Sequence, residues 1–478
     1  MNQTSPELQD NQTPWYQLLS RYHWLVFTVC SLGWAFDCMD QHLFTYVRAD
    51  AIGELMNLSP TSEDAINYGA RATSVMMIGW ATGGIIFGII GDKFGRARTM
   101  IFTILIYSLL TGLSSMSQTI WDFMLVRFLA GIGIGGQFAV GASLLAETMP
   151  APARPYVLGI MQVLSALGNV GAALVAMLFT ELAAAQMLPW SAWRCIFLVG
   201  SVPAILAYFV VRYIREPDSW VASVKEGGRK NVGSIKELFT EPTLRKHVIL
   251  GMILASAGVI GAWGIALFSG ELSQKVATNL AAKTVLAKYD LTSETDSGIT
   301  ENIRGEIAAA KKDEGGRWKA RNLLIYNIGA MAGMYGFTLG AVFWGRRVTF
   351  TIFMTGCIIF TAATFLYLNS ATMQFLLVPL MGFFVMSMFG GYTIYFPELF
   401  PTRLRSTGVS FCYNVGRYVA ACGPLMIGGL TAAFAGYNTA DDSTVALRYA
   451  GVAMCSIYII GIVVIWFLPE TKGKPLPE

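Results

Sequence analysis

The chain has 478 residues, of which 54% are hydrophobic and only 13% charged, about half the charge of an ordinary soluble domain. Lipid is therefore the expected solvent for most of it, and a formal net charge of +4 is too small to mark a nucleic-acid partner. Seven cysteines (Cys30, Cys38, Cys195, Cys357, Cys412, Cys422 and Cys455) lie in apolar stretches without a CxxC pair, which points to packing residues and away from a metal site or a disulfide framework.

Residues 1–23 are polar and lack the compact apolar core of a cleavable leader. They are expected to be a tail, and the apolar run that follows to serve as an uncleaved membrane signal. A spanning helix takes about 20 mainly apolar residues. Twelve such runs follow, at 24–47, 70–90, 99–117, 121–145, 157–180, 193–213, 248–269, 322–343, 349–368, 373–396, 406–433 and 447–468.

Span 1 carries Asp37 and Asp40, three residues apart and hence on one helix face. Span 4 carries Arg127. At about 1.5 Å per residue, Asp37 and Arg127 enter from opposite ends to nearly the same depth. One cluster of Asp37, Asp40 and Arg127 is expected, and one guanidinium cannot fully neutralise two carboxylates, so one aspartate is free to carry a proton. His42 reads as incidental. Arg417 lies near the middle of span 11, which offers no acid to neutralise it. A guanidinium there suits a two-pronged grip on a carboxylate, so Arg417 is the expected substrate anchor. The other mid-span candidates for substrate contact are Gln137, Gln162, Asn169, Trp263, Tyr326, Asn327, Tyr392, Tyr395, Asn414 and Tyr418, about half of which are expected to serve helix packing instead. Trp34 and Trp80 read equally well as lipid-facing.

Lysine and arginine crowd the loops on one side, including Lys93, Arg96, Arg98, Arg154, Arg346, Arg347, Arg403 and Arg405, while Ser115–Thr119 and Leu182–Ala192 carry none. The positive-inside bias then makes both termini cytoplasmic and the number of spans even. Residues 214–247 read as a basic cytoplasmic linker. Residues 270–321 form an outer insertion, where Leu272, Val276, Leu280 and Val285 recur near helical spacing; span 7 is expected to continue outward as an amphipathic helix in a small solvated cap.

An internal repeat organises these elements. Glu147 and Arg154 follow span 4 as Glu398 and Arg405 follow span 10, each 251 residues on, and the same offset carries Arg96 to Arg347. Two related bundles are expected, 24–213 and 248–468, with tails at 1–23 and 469–478. Such halves put the cargo site between them near the bilayer midplane and let it be exposed alternately.

Three segments carry a family likeness: Gly91-Asp-Lys-Phe-Gly-Arg-Ala-Arg98 after span 2, Arg127-Phe-Leu-Ala-Gly-Ile-Gly-Ile-Gly-Gly136 in span 4, and Pro397-Glu-Leu-Phe-Pro-Thr-Arg-Leu-Arg-Ser-Thr-Gly408 after span 10. The first two resemble signature motifs of the major facilitator superfamily, and the third the motif of its sugar-porter-like and organic-ion branches. Asp37-Cys-Met-Asp40 resembles the DGxD of the aromatic-acid:proton symporters, with Cys38 in place of glycine. The resemblance runs from Trp24 to Thr471. It implies an all-α membrane protein of twelve transmembrane helices in two pseudo-symmetric six-helix bundles. It also implies a conformational gate of Asp92, Gly95, Arg96, Arg98, Glu147, Arg154, Glu398, Arg403 and Arg405. Asp92 is expected to cap a helix of another span or to pair with arginine, Glu147 to latch with Arg154, and Glu398 with Arg403 and Arg405. Trp344 stands where the second copy would carry its acid, so the latch there is expected to be weaker.

The reading that follows is a secondary active transporter, expected to be a monomer in the cell inner membrane. It takes up a small organic anion, such as an aromatic acid or another carboxylate, together with protons. No cofactor, metal or nucleic acid is expected. The absence of a GxSxG elbow, an HExxH pair and a Walker loop speaks against an enzyme. A sugar or organic-cation uniporter or exporter, or a non-transporting sensor, are the rival readings.

Overall fold

The computed structural model describes residues 14–59, 62–291, 299–420, 423–439 and 442–478, and among these all regular structure is helical. The first six spans are α1 (Arg21–Met56), α2 (Glu63–Phe94), α3 (Arg96–Ser114), α4 (Ile120–Thr148), α5 (Arg154–Ala184) and the broken pair α6 (Ala192–Val199) and α7 (Ala204–Tyr213). Two short helices follow, α8 (Asp218–Asn231) and α9 (Ile235–Thr240). The last six spans are α10 (Pro242–Val259) with its extension α11 (Ser269–Lys288), then α12 (Glu301–Phe343), α13 (Arg346–Tyr367), α14 (Ala371–Leu399), the pair α15 (Arg405–Ala420) and α16 (Gly423–Ala433), and the pair α17 (Val445–Met454) and α18 (Ile457–Phe467). This is the twelve-span, all-α fold expected.

Ten of the helix runs are long and apolar enough to cross a membrane on length and composition alone. The two spans that fall outside that criterion have local reasons. Asp37, Asp40, Gln41 and His42 dilute α1, and span 11 includes residues 421–422, which lie outside the described residues.

Local chemistry sets the boundaries. Ser20 caps α1 by accepting from His23 N, while the His23 ring accepts from Ser20 N; Thr119 and Asp122 make the same reciprocal cap on α4. The one-residue turn between α2 and α3 and the two-residue turn between α12 and α13 rest on Gly95 (φ +110°) and Gly345 (φ +89°), a backbone region costly for any residue with a Cβ.

Without a hydrophobic drive between helices in lipid, close backbone approach supplies the packing. In α2 and α4, a Cβ on Gly83 would lie 2.0 Å from Ile132 O, and one on Gly135 1.9 Å from Trp80 O. In the last six spans, α12 and α14 repeat the device: a Cβ on Gly333 would lie 1.8 Å from Phe383 O. Between the two halves of the chain, α2 lies on α15, where Gly84 faces Asn414, and α5 lies on α12, where Gly159 faces Thr338.

The insertion at 270–321 forms two packed helices. A π-helical turn at Ile260–Ile265 and a short 3-10 segment carry α10 into α11, and α12 begins well before its spanning part. Leu272, Val276 and Val285 are buried along α11, with Val285 and Leu286 packed on Ile303 and Ile307 of α12. Leu280, expected on the same face, is 39% exposed, because the apolar stripe turns toward α12 rather than running straight. Gln374 at the start of α14 ties the hairpin down, donating to Trp318 O (2.9 Å) and accepting from Arg321 Nε (2.6 Å). None of the six described cysteines is in a disulfide; Cys422 lies outside the described residues.

Candidate functional site

Asp37 and Asp40 are both buried on one face of α1. Asp40 Oδ2 meets Arg127 Nη1 at 3.4 Å. Arg127 is held in place by α3, donating from Nε to Ser114 Oγ (3.0 Å) and from Nη2 to Thr111 Oγ1 (2.9 Å), with its plane 4.7 Å from the centre of the Phe197 ring. The expected triad is thus divided. The α3 hydroxyls draw Arg127 toward the C-terminal end of α1, and Asp37 lies about 4.5 Å back along the axis, so only Asp40 is reached. Neither oxygen of Asp37 has a hydrogen-bond partner among the described residues. Its strongest charge interactions are with Asp40 and with Arg417 of the other half of the chain.

Arg417 lacks an acid on its own span and forms no ion pair among the described residues, while both oxygens of Asp37 on span 1 stay unpartnered. Its guanidinium lies between two aromatic rings, 3.8 Å from the centre of Trp80 and 4.2 Å from that of Tyr413, and Nη1 donates to Asn414 Oδ1. Tyr413 stacks on Phe138 of α4 at 3.9 Å, and Phe138 packs on Trp34 of α1 at 4.9 Å. Trp34 and Trp80 are accordingly buried, not lipid-facing. Trp34 donates from Nε1 to Gln162 Oε1 (3.2 Å), and the same oxygen accepts from Thr393 Oγ1 (3.3 Å) across the seam. These contacts gather Asp37, Asp40, Arg127, Arg417, Asn414 and Gln162 into one buried region.

The remaining candidates have other engagements. Gln137 accepts from Thr103 Oγ1 (2.9 Å), with its Nε2 buried and unpartnered. Tyr418 shares a hydrogen bond with Thr82 Oγ1 (2.6 Å) on the α2/α15 seam. Tyr392 donates to Leu254 O (2.8 Å), Asn327 to Leu323 O of its own helix (2.8 Å), and Tyr395 to Pro469 O. Tyr326 and Trp263 pack against the apolar core, and Asn169 Oδ1 is buried without a partner. His42 meets only Cys38 O of its own helix (3.0 Å).

A second network joins the two halves at the basic end. Asp92 accepts from Ser406 N (3.1 Å), Thr407 N (2.8 Å) and Thr407 Oγ1 (2.6 Å), capping α15 from α2, where the helix N-terminus favours an anion. Arg96 pairs with Asp92 (2.9 Å) and Glu147 (3.0 Å) and donates to Thr402 O (2.6 Å); Glu147 in turn pairs with Arg405 at 2.8 Å. Gly95 provides the turn, and Arg98 N donates to Glu216 Oε1 (3.1 Å).

Several expected pairings differ. Glu147 latches not with Arg154, which turns to Met149 O (3.3 Å), but with Arg96 and Arg405. Arg154 begins the next helix, whose start points it back over the turn. Glu398 pairs neither with Arg403 nor with Arg405 but with Arg346 at 2.6 Å, while Arg403 pairs with Glu237 at 2.7 Å. The structural counterpart of Arg96 is Arg346, not Arg347: Arg96 donates to Gly91 O and Arg346 to Ala341 O, each five residues back, and each meets the glutamate ending the span-4 or span-10 helix. The repeat is one residue short at this turn, which a fixed offset cannot register. The second latch keeps its arginine–glutamate pair, and by the same correspondence Val342, not Trp344, stands where the first half has Asp92.

Glu216 and Glu470 were missed. Glu216 accepts from Ala97 N (3.2 Å) and Arg98 N (3.1 Å), and Glu470 from Arg346 N and Arg347 N (both 3.0 Å), so each caps the helix after the basic turn in its half. Burial works against the Glu470 charge, yet the surrounding backbone N–H groups hold its carboxyl below the usual range. The available signal was an acid beside a proline just past the last span of each half, Glu216-Pro217 and Pro469-Glu470.

A multi-pass helical bundle with buried opposite charges on its internal seam is the architecture of a secondary membrane transporter. Residues 31–281 match the family profile described as Major Facilitator Superfamily, and residues 313–478 that described as Sugar (and other) transporter. The first match spans more than half the chain, and the protein belongs to the major facilitator superfamily. A putative metabolite transport protein of Haemophilus influenzae is 28% identical over 465 residues, covering 96% of this chain and 99% of that one. The cis,cis-muconate transport protein of Acinetobacter baylyi is 26% identical over 455 residues, covering 94% and 95%. A solved structure of the proton:xylose symporter XylE bound to 6-bromo-6-deoxy-D-glucose has a TM-score of 0.69 at 14% identity, covering 95% and 98%, a likeness of fold alone.

Proposed function

We propose that this transporter carries a small organic anion bearing a carboxylate into the cell together with protons, across the inner membrane, as a monomer with both termini cytoplasmic. The observation that carries this reading is the buried charge count: two carboxylates, Asp37 and Asp40, against two guanidiniums, Arg127 and Arg417. Arg127 is matched by Asp40, and Asp37 feels Arg417.

A cargo carboxylate that engages Arg417 takes over the counter-charge of Asp37. The site would then hold one uncompensated negative charge at mid-membrane depth, which is costly. A proton on Asp37 removes it. Anion and proton therefore load together, and either alone leaves an unbalanced site. Asn414 positions the guanidinium, and the Trp80 and Tyr413 rings pack against it, so the donors left over suit a carboxylate edge. Gln137, with a spare buried donor, is the second polar contact for cargo. The six-and-six division of the chain, with 214–247 as linker, supplies the rocking halves. The network of Asp92, Arg96, Glu147 and Arg405 closes the cytoplasmic end of the pathway. The muconate carrier among the relatives supports a carboxylate cargo.

The test is uptake into proteoliposomes with an imposed inward proton gradient, with cis,cis-muconate, benzoate and xylose as probes. Wild type should accumulate one of the carboxylates above equilibrium. Asp37→Asn should abolish accumulation while leaving exchange of labelled for unlabelled anion. Undiminished gradient-driven accumulation by Asp37→Asn would remove the coupling role, and accumulation of xylose instead would remove the anion.

A further inference from the structure

Beside the pathway, at the membrane edge of the basic end, the surface carries a feature that transport does not use. Two adjoining grooves of about 340 and 460 Å³ share Pro242, Lys246 and Phe467. They run between the start of α10, the start of α13 and the end of α18. Arg245 and Lys246 are exposed on the first turn of α10, and Arg347 borders the second groove. On the membrane side the wall is apolar, formed by Ile249 and Phe467, which are 40% and 59% exposed.

The charges there are not consumed internally. Arg245 and Lys246 make no ion pair among the described residues. Glu241 and Glu470, beside these grooves, are committed to backbone: Glu241 accepts from Leu244 N at the cap of α10, and Glu470 from Arg346 N and Arg347 N. His247 turns its Nδ1 to Leu399 O. Arg347 is held by Leu468 O through Nε (2.7 Å), which fixes its guanidinium beside the groove.

We propose that these grooves seat the headgroup of an anionic phospholipid from the leaflet at the basic end, its phosphate between Arg245, Lys246 and Arg347 and its acyl chains along Ile249 and Phe467. Three cations above an apolar, lipid-facing wall match the two ends of such a molecule, and basic recesses between spanning helices on this side of a bilayer are suited to acidic headgroups. A soluble phosphate has the same charge but nothing to fill the apolar wall. Because α10 and α13 belong to the half that swings and α18 closes the chain, a lipid here braces that half at its margin.

The test compares lipid retention by native mass spectrometry from nanodiscs containing equal phosphatidylglycerol and phosphatidylcholine. Wild type should retain phosphatidylglycerol preferentially. Removing two charges with R245A/K246A should weaken it about 30-fold, at roughly one kcal/mol per basic residue near a membrane surface. The K225A/K236A pair, two exposed lysines in the 218–240 region at the same end, should retain it as wild type does. All four residues are on the surface, and transport in phosphatidylcholine liposomes serves as the folding control. Equal retention by R245A/K246A and wild type, or equal loss in both double variants, overturns the site. Thermal stabilisation of detergent-solubilised wild type by millimolar inorganic phosphate, as large as that by phosphatidylglycerol, overturns the lipid and leaves a soluble-anion site.

Discussion

A guanidinium buried between two aromatic rings can offer a ligand only its edge. Arg417 has the Trp80 and Tyr413 rings packed against its guanidinium, at 3.8 and 4.2 Å from its central carbon, and Asn414 on one nitrogen. Lysine at this position keeps the charge but loses both the planar fork and the stacking. Arg417→Lys should therefore raise the half-saturating concentration of a carboxylate cargo by about tenfold to a hundredfold, the size expected for losing a charge-assisted pair of hydrogen bonds. An unchanged value in a concentration series of initial uptake rates would take Arg417 out of the cargo site. The sequence made Arg417, Asp37 and Asp40 conspicuous because ionisable groups in apolar runs are rare. It could not assign their partners. Which carboxylate Arg127 meets depends on the hydroxyls of Thr111 and Ser114, and side-chain direction across three helices leaves no trace in spacing. Trp80 and Trp34 were ambiguous for a related reason, since an indole in a spanning helix suits lipid and seam equally well.

Helix positions were legible further than contacts. The twelve apolar runs, the short basic turns and the helical extension of span 7 all follow from composition and period. The pairing of Arg346 with Glu398 was hidden by a single-residue shift in the repeat at the α12–α13 turn. Glycines also divide by what they touch. A Cβ at Gly135 would strike the Trp80 carbonyl within one half, while at Gly84 it would strike the Asn414 side chain across the seam, 2.1 Å from its Nδ2. Gly135→Ala should lower stability by about 1–3 kcal/mol, because backbone cannot yield, and should depress the melting temperature of the purified protein. Gly84→Ala can be absorbed by parting the halves or turning Asn414 from Arg417, so it should leave the melting temperature nearly unchanged and cut the uptake rate. Equal melting shifts in the two variants would mean that the α2/α15 contact is a permanent packing surface and not a seam that opens.

The network at the basic end rests on few anions. Glu147 sits between Arg96 of its own half and Arg405 of the other, all three fully buried, and Asp92 caps α15 with the same change of half. Removing one member of a buried ion network costs about 3–5 kcal/mol, because the partner charge stays behind uncompensated. In Glu147→Gln, Arg96 keeps Asp92, but Arg405 loses its only carboxylate among the described residues. That penalty exists only while the halves are closed; once they part, Arg405 reaches water. The substitution should thus shift a conformational equilibrium more than it unfolds the protein, lowering the closed-to-open ratio by about 100-fold or more. Spin labels at Phe94 and Trp344, exposed residues at the basic ends of α2 and α12, would report it as a longer interspin distance in Glu147→Gln than in wild type. Identical distance distributions, with the melting temperature lowered instead, would mean that the network holds the fold together and does not gate the pathway.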